Sequence, residues 1–302
     1  MLRRDRPDGT RLRELPRMRR IMPFLMPSRT EALIHFEQRL ELDATLDWLA
    51  RWNAPPAAGE VRPQMTLFHL LVAALAHTLH QRPRMNRFIA GRRLWQRREI
   101  AISFSVIKAH RDDDAKLSVV KQVFDPDEGL IATRARIEEA TASGRSARKS
   151  AVEREVAVLT RLPPALIGVL LRLQRLADRW NLLPASIIRN DPLYASAMVS
   201  NLGSIGIDAC WHHLYEHGTV SVFMTIGKLG PQPFARPDGT LAVSPGVTLR
   251  YAWDDRVADG HYAARSLALF QRLAEQPWLM ERPEDDGPGA PPGTAEATRQ
   301  GA

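Results

Sequence analysis

From Ala32 to Asp43 the chain reads ALIHFEQRLELD, with apolar and polar side chains alternating as they do in a strand that buries one face. A helix is predicted to follow over Ala44 to Trp52. The segment TLFHLLVAALAHTLHQ, Thr66 to Gln81, is apolar nearly all round and rich in Leu and Ala, so it predicts a buried helix that stops before Pro83. Strand-like runs follow at Glu99 to Ile107 and Ala115 to Phe124, then a polar amphipathic helix from Pro126 to Ser143. Ala151 to Trp180 predicts helix broken at Pro163-Pro164, because proline cannot continue a helix already running. After Pro192 the pattern turns to strands: YASAMVSNLG, TVSVFMTIGKL, a turn at Pro237-Asp238-Gly239, and GVTLRYAWD. A last helix is expected over Gly260 to Gln276. Interleaved helices and strands with a late hairpin give an α/β or α+β fold with a mixed sheet.

The ends behave differently. Residues 1–17 carry Pro, Gly and dense charge without apolar period and are expected to form a flexible basic arm. ERPEDDGPGAPPGTAEATRQGA, residues 281–302, has no large apolar residue and is expected to be a disordered tail. That leaves one domain over 18–280, with no internal repeat.

Charge and composition change this picture little. The net charge of +8 is concentrated in the first twenty residues, where eight arginines face Asp5, Asp8 and Glu14. No zinc-finger, helix-turn-helix or aromatic RNA-binding pattern accompanies it, so nucleic acid is not an expected partner. The single cysteine, Cys210, excludes an intramolecular disulfide and a Cys-rich metal site and suits a reducing cytoplasm. The longest apolar stretch, Leu162 to Leu171, is interrupted by two prolines, so no transmembrane segment is predicted, and no signal-peptide run follows the first charges.

Three segments carry candidate chemistry. Asp254-Asp255-Arg256-Val257-Ala258-Asp259-Gly260 joins a strand to an amphipathic helix, which by itself describes a capped helix start. Ser200-Asn201-Leu202-Gly203-Ser204-Ile205-Gly206 ends a strand in a glycine-bearing turn. Trp211-His212-His213-Leu214-Tyr215-Glu216-His217-Gly218 gathers three imidazoles, a phenol and a carboxylate. It lacks a regular metal-ligand spacing, so no metal is expected there, and packed aromatic side chains in a polar loop are its plainest reading. His261 reads as an exposed helix-start residue, and His35, His69, His77 and His80 as satisfied polar residues of the first strand and buried helix.

Taken together, these segments resemble the catalytic domain of the dihydrolipoyl acyltransferases of 2-oxoacid dehydrogenase complexes. DDRVADG followed by HYAARSLALF is similar to the family's DHRVxDG-x-x-AARF signature and, more loosely, to the HxxxDG motif of chloramphenicol acetyltransferase. SNLGSIG is similar to its S-[SN]-L-G-x-x-G turn, Arg19-Arg20 and Ser28 to its opening helix, and TLFHLLVAALAHTLHQRPRMN to its buried helix. The resemblance covers about residues 17 to 280. It implies a chloramphenicol-acetyltransferase-like two-layer sandwich, a homotrimer with sites between subunits, and transfer of an acyl group from a coenzyme A or lipoyl-type thioester, with no covalently bound cofactor.

By the same resemblance Ser200 helps stabilise a tetrahedral oxyanion, Asn201, Gly203 and Arg20 lie on the substrate-binding side, and Asp259 pairs with Arg19 or Arg20 to hold the active loop. Asp255 stands where the family keeps a histidine general base. Imidazole, with a pKa near 6.5, suits taking a proton from a thiol near 8.5, whereas a carboxylate near 4 needs its pKa raised by desolvation or by a like charge such as Asp254 or Asp259. Two readings stay open: an altered catalytic residue, or an acidic residue in a non-catalytic homologue kept as an oligomeric scaffold or ligand-binding protein. His212 or His213 is the alternative proton acceptor to Asp255, and HHLYE-x-G resembles stand-alone members of the family that lack the histidine. Lipoyl and subunit-binding domains have no room before residue 19, so any lipoyl carrier is expected to be a separate protein. The stretch 152–190 exceeds the family length and predicts a helical insertion that packs within the protein, meets a neighbouring subunit or lies on an anionic membrane surface.

Overall fold

The computed structural model of the chain describes residues 5–55, 62–109, 116–125, 127–146, 157 and 159–291. Its centre is a mixed sheet in the order β2-β10-β8-β7-β5-β6, where β2 is Leu33–Glu41, β5 Ile100–Ala109, β6 Lys116–Phe124, β7 Ala197–Asn201, β8 Val222–Ile226 and β10 Leu241–Asp254. β5, β7 and β8 run parallel, and the other pairs are antiparallel. β9, Gly230–Ala235, pairs with the first half of β10 around the turn at Pro237-Asp238-Gly239.

Alternation sorts the sheet into two faces. On β10, Val247, Leu249, Tyr251 and Trp253 enter the main core, beside Val222, Met224 and Ile226 of β8 and Ala197 and Val199 of β7. This face is covered by α2 (Asp43–Trp52), α3 (Leu67–Gln81), α4 (Leu130–Arg145) and α7 (Gly260–Glu275). Met198, Phe223 and Ala252 point the other way and pack with Leu214. The architecture is thus the expected mixed sheet flanked by helices.

α3 is the buried helix of the sequence reading. Thr66 caps it: its hydroxyl accepts from the His69 N–H and the His69 ring accepts from the Thr66 N–H, which satisfies two otherwise orphaned donors. Leu70 to Leu75 are all buried. Trp48 and Trp52, one turn apart on α2, stack at 4.9 Å between ring centroids.

Both expected tails are ordered in part. Gly9–Arg11 form β1, which pairs with β4 (Arg93–Arg97) and, through it, β3 (Arg87–Ala90), a second sheet of three short strands. Arg6 is buried, with Nε on Asp8 at 2.9 Å and NH2 on Asp178 at 2.7 Å. The arm is held by paired charge, which a search for apolar period does not register. α1, Arg17–Leu25, follows it.

At the other end Glu281 accepts from the Trp48 indole at 2.5 Å, and buried Asp285 accepts from the backbone N–H groups of Leu130, Ile131 and Arg282. Asp285 thereby caps α4, whose own N-cap is Gly129, without a side chain to do so. Asp285→Ala leaves those donors unpaired, and the unfolding free energy is expected to fall by about 2 kcal/mol, read from the urea midpoint at unchanged slope. Residues 292–302 lie outside the described residues, as do 1–4.

Of the 152–190 insertion, α5 (Pro164–Arg179) and α6 (Ala185–Asn190) are described, while 152–156 and 158 lie outside the described residues. Among the described residues no helix is long and apolar enough to cross a membrane.

Candidate functional site

The two motif-bearing turns leave interior strands at opposite ends of the sheet, because β10 runs against β7 and β8. Ser200 is the fourth residue of β7, and alternation with Val199 turns it to the face of Met198, away from the helices. Its hydroxyl makes no hydrogen bond among the described residues. Asn201 ends the strand, and Leu202–Ile205 form one 3-10 turn closed by Gly206 at φ 79°. Gly203 is required by close approach, since a Cβ there would meet the Gly227 carbonyl oxygen at 2.4 Å. The turn is therefore pressed against the end of β8, and Ser200 and Asn201 are held where they leave the sheet.

The acidic turn is built from a buried ion pair. Asp254 is fully buried at the end of β10, and Arg256 reaches back to it with Nε and NH2, each at 2.7 Å. Arg256 NH1 donates to the Met26 carbonyl just beyond α1. Asp255, half-buried, projects from this clamp: its N–H donates to the Ala32 carbonyl, and its own carbonyl accepts from Arg19 NH1 at 2.8 Å. Asp259 caps α7 by accepting from the Tyr262 N–H at 2.8 Å. Its other oxygen lies 3.8 Å from Arg19 NH2 and 3.9 Å from Arg84 NH1. Arg84, from the Arg82-Pro83-Arg84 segment after α3, had no place in the sequence reading of the site.

The two neighbouring carboxyls are pushed in opposite directions. The Tyr262 N–H first, then Arg19 and Arg84, hold Asp259 below the usual carboxylate range. Burial raises Asp255, Arg19 opposes, and the charges of Asp254 and Asp259 add to the rise. The raised folded-state value means that folding favours the protonated acid. Below about pH 4, where the unfolded chain is also protonated, there is no penalty, and it develops as pH rises through the folded value. Asp255→Asn is therefore expected to melt above the wild type at pH 7 and level with it near pH 3, as thermal unfolding across that range measures.

The histidine cluster does not converge. Residues 207–218 run back across the sheet face that carries Ser200, tied by Thr225 Oγ1 to the Cys210 carbonyl at 2.7 Å and by Arg250 to the Ala209 carbonyl. The His212 ring lies flat on Phe223, 3.8 Å between centroids and 7° between planes, with Nδ1 on the His213 carbonyl. Burial lowers its pKa, and the hydrogen bond to the His213 carbonyl opposes. His213 turns to the Leu214 carbonyl and the Tyr215 ring, and His217 to Asp191 at 2.7 Å. Among the described residues no group of three or more His, Cys, Asp or Glu is placed to hold a metal ion.

Strand register gives the separation of the two turns. Ser200 is level with Thr225, Thr225 with Arg250, and Asp255 lies five residues beyond Arg250 on β10. At about 3.3 Å per residue this is about 17 Å along the strands. Arg20 stands apart again, lining a cavity of about 910 Å³ between α1, β1 and the end of α5. Neither that cavity nor the smaller one of about 230 Å³ beside Arg29 and His217 is lined by Ser200 or Asp255.

Comparison with solved structures places this topology. The cubic core of the pyruvate dehydrogenase multienzyme complex superposes with a TM-score of 0.55 at 18% identity, over 90% of this chain and 94% of that one. The fold is that of the dihydrolipoamide acetyltransferase core. A dihydrolipoamide acetyltransferase from Azotobacter vinelandii gives a TM-score of 0.54 at 18% identity over 90% and 94%, and a probable one from Listeria monocytogenes 4b F2365 gives 0.52 at 19% over 88% and 95%. In sequence, residues 187–281 match the 2-oxoacid dehydrogenases acyltransferase family, catalytic domain. The matched span holds Ser200, the histidine cluster and the Asp255 turn.

Proposed function

We propose that the protein is an acyltransferase that takes an acyl group from a coenzyme A or lipoyl-type thioester, in a site completed between copies of the chain in a homotrimer. The observation that carries this reading is the pair of half-sites: a free serine hydroxyl at one end of the sheet's strands and the half-buried Asp255 carboxyl at the other, about 17 Å apart along the strands. One chain cannot bring them together. Two copies that bring opposite strand ends together can.

In such a site Asp255 of one copy takes the proton of the acceptor as it attacks the thioester carbonyl, and Ser200 of the other donates to the oxyanion that forms. Collapse of the tetrahedral adduct expels the donor thiolate, which takes the proton back from Asp255. Burial brings Asp255 closer to this task than an exposed carboxylate would be. Arg19 holds the turn through the Asp255 carbonyl and Asp259. Asn201 and Gly203 shape the wall beside Ser200. A lipoyl-bearing donor is supplied by a separate carrier protein, and the setting is the cytoplasm.

A second assignment of the base rests on one observation: the His212 ring lies on Phe223, on the sheet face that carries Ser200 in the same chain. Thioester turnover of wild type, Ser200→Ala, Asp255→Asn, His212→Ala and His213→Ala tests both. Loss in Ser200→Ala and Asp255→Asn supports the proposal, and loss in Ser200→Ala and His212→Ala moves the base to the imidazole. Equal background rates in all five replace it with the non-catalytic scaffold reading.

A further inference from the structure

The 910 Å³ cavity is lined by eight arginines and no acidic residue. Of these, Arg19 alone has a carboxylate partner among the described residues, Asp259. Arg11 is pushed down by burial and by the like charges of Arg93 and Arg13. A groove of mutually repelling guanidiniums is stabilised by whatever anion occupies it. Its mouth is apolar: Phe24 of α1 is 58% exposed, with the Arg92 guanidinium over its ring at 5.4 Å, and Trp180 at the end of α5 is 46% exposed.

α5 leads away from this groove. None of its sixteen residues is buried. Ile167, Leu171 and Gln174 face the body and are half-buried, while Leu166, Val169, Leu170, Leu173 and Leu176 are exposed on the outer side. Their three- and four-residue spacing makes one seam that continues to Trp180 at the groove. Arg172, Arg175 and Arg179 flank the seam on one side.

We propose that the arginine groove and the α5 seam form one docking surface for an anionic phospholipid bilayer. Headgroup phosphates neutralise the groove, the aliphatic seam enters the acyl boundary, and the flanking arginines keep their charged ends at the headgroups. Charge decides against two copies pairing seam to seam, since that contact would bring two arginine flanks together. A nucleic acid would satisfy the groove but would leave the aliphatic seam in water. The bilayer has a partner for both.

Co-sedimentation of the full chain with vesicles of phosphatidylcholine alone, or with about 30 mol% phosphatidylglycerol, tests this. Binding is expected only with the anionic vesicles, weakened by added salt. Each arginine at such a surface is worth about fivefold in partitioning, so Arg13→Gln, Arg93→Gln and Arg179→Gln together are expected to lower it about a hundredfold. Leu173→Ser with Leu176→Ser, at exposed positions that leave the circular dichroism unchanged, is expected to abolish sedimentation. Equal binding to both vesicles, binding to neither, or variants that bind as the wild type does would overturn the proposal. So would a lower mass of the seam variant in light scattering without vesicles, which would give the seam to a second copy.

Discussion

Arg256→Ala is expected to lower the unfolding free energy by about 3–5 kcal/mol, because it strands the Asp254 carboxylate in a fully buried position. The loss spreads beyond the pair. Arg256 also holds the Met26 carbonyl behind α1, and α1 carries the Arg19 that steadies Asp255. Arg29, itself buried and donating to the carbonyls of Glu216, Ile89 and Gly218, stays to offset part of the charge. Removing both charges, as Asp254→Leu with Arg256→Met, is expected to recover most of the stability, since the pair is dearer to break than to replace. Urea midpoints of the single and double variants measure the difference.

Ser200→Ala is expected to lower the rate of acyl transfer about a hundred- to a thousandfold, with KM little changed. A donor aimed at charge that appears only in the transition state acts on kcat, because the ground-state carbonyl asks little of it. The hydroxyl is free in the resting chain, and Ala at the fourth position of β7 keeps the pairing with Thr225, so the folded state is unaffected. Single-turnover kinetics with a chromogenic thioester separate the chemical step from binding.

Much of the frame was legible because it rests on local rules. Alternation gave β2, β7 and the core half of β10, and the Thr66 cap and the Asp259 turn sit at the helix starts where the sequence points to them. The three short strands around Arg93 escaped because they are brief and rich in arginine. The arm escaped because its anchor, Arg6 on Asp178, joins residues 172 positions apart. Asp285 reads as one acid in a polar tail, and only its place beneath α4 makes it a cap.

The site divides in the same way. Ser200, Asp255 and Asp259 could be named from their turns, and the expected Asp259–Arg19 neighbourhood corresponds to a separation of 3.8 Å. Their placement at opposite ends of the strands could not, because it depends on β7 and β8 running parallel while β10 runs against them. Register is a property of the assembled sheet. The histidines looked like a cluster in sequence because they are close in number, yet their rings turn to Phe223, Tyr215 and Asp191 in three directions.

Mixing subunits tests the central claim most directly. Ser200→Ala and Asp255→Asn chains, each inactive alone, are to be co-expressed and the mixed oligomers purified. A site that takes Ser200 from one copy and Asp255 from the next returns activity in about a quarter of the positions of randomly mixed rings. Mixed oligomers as inactive as either parent would contradict a site shared between copies.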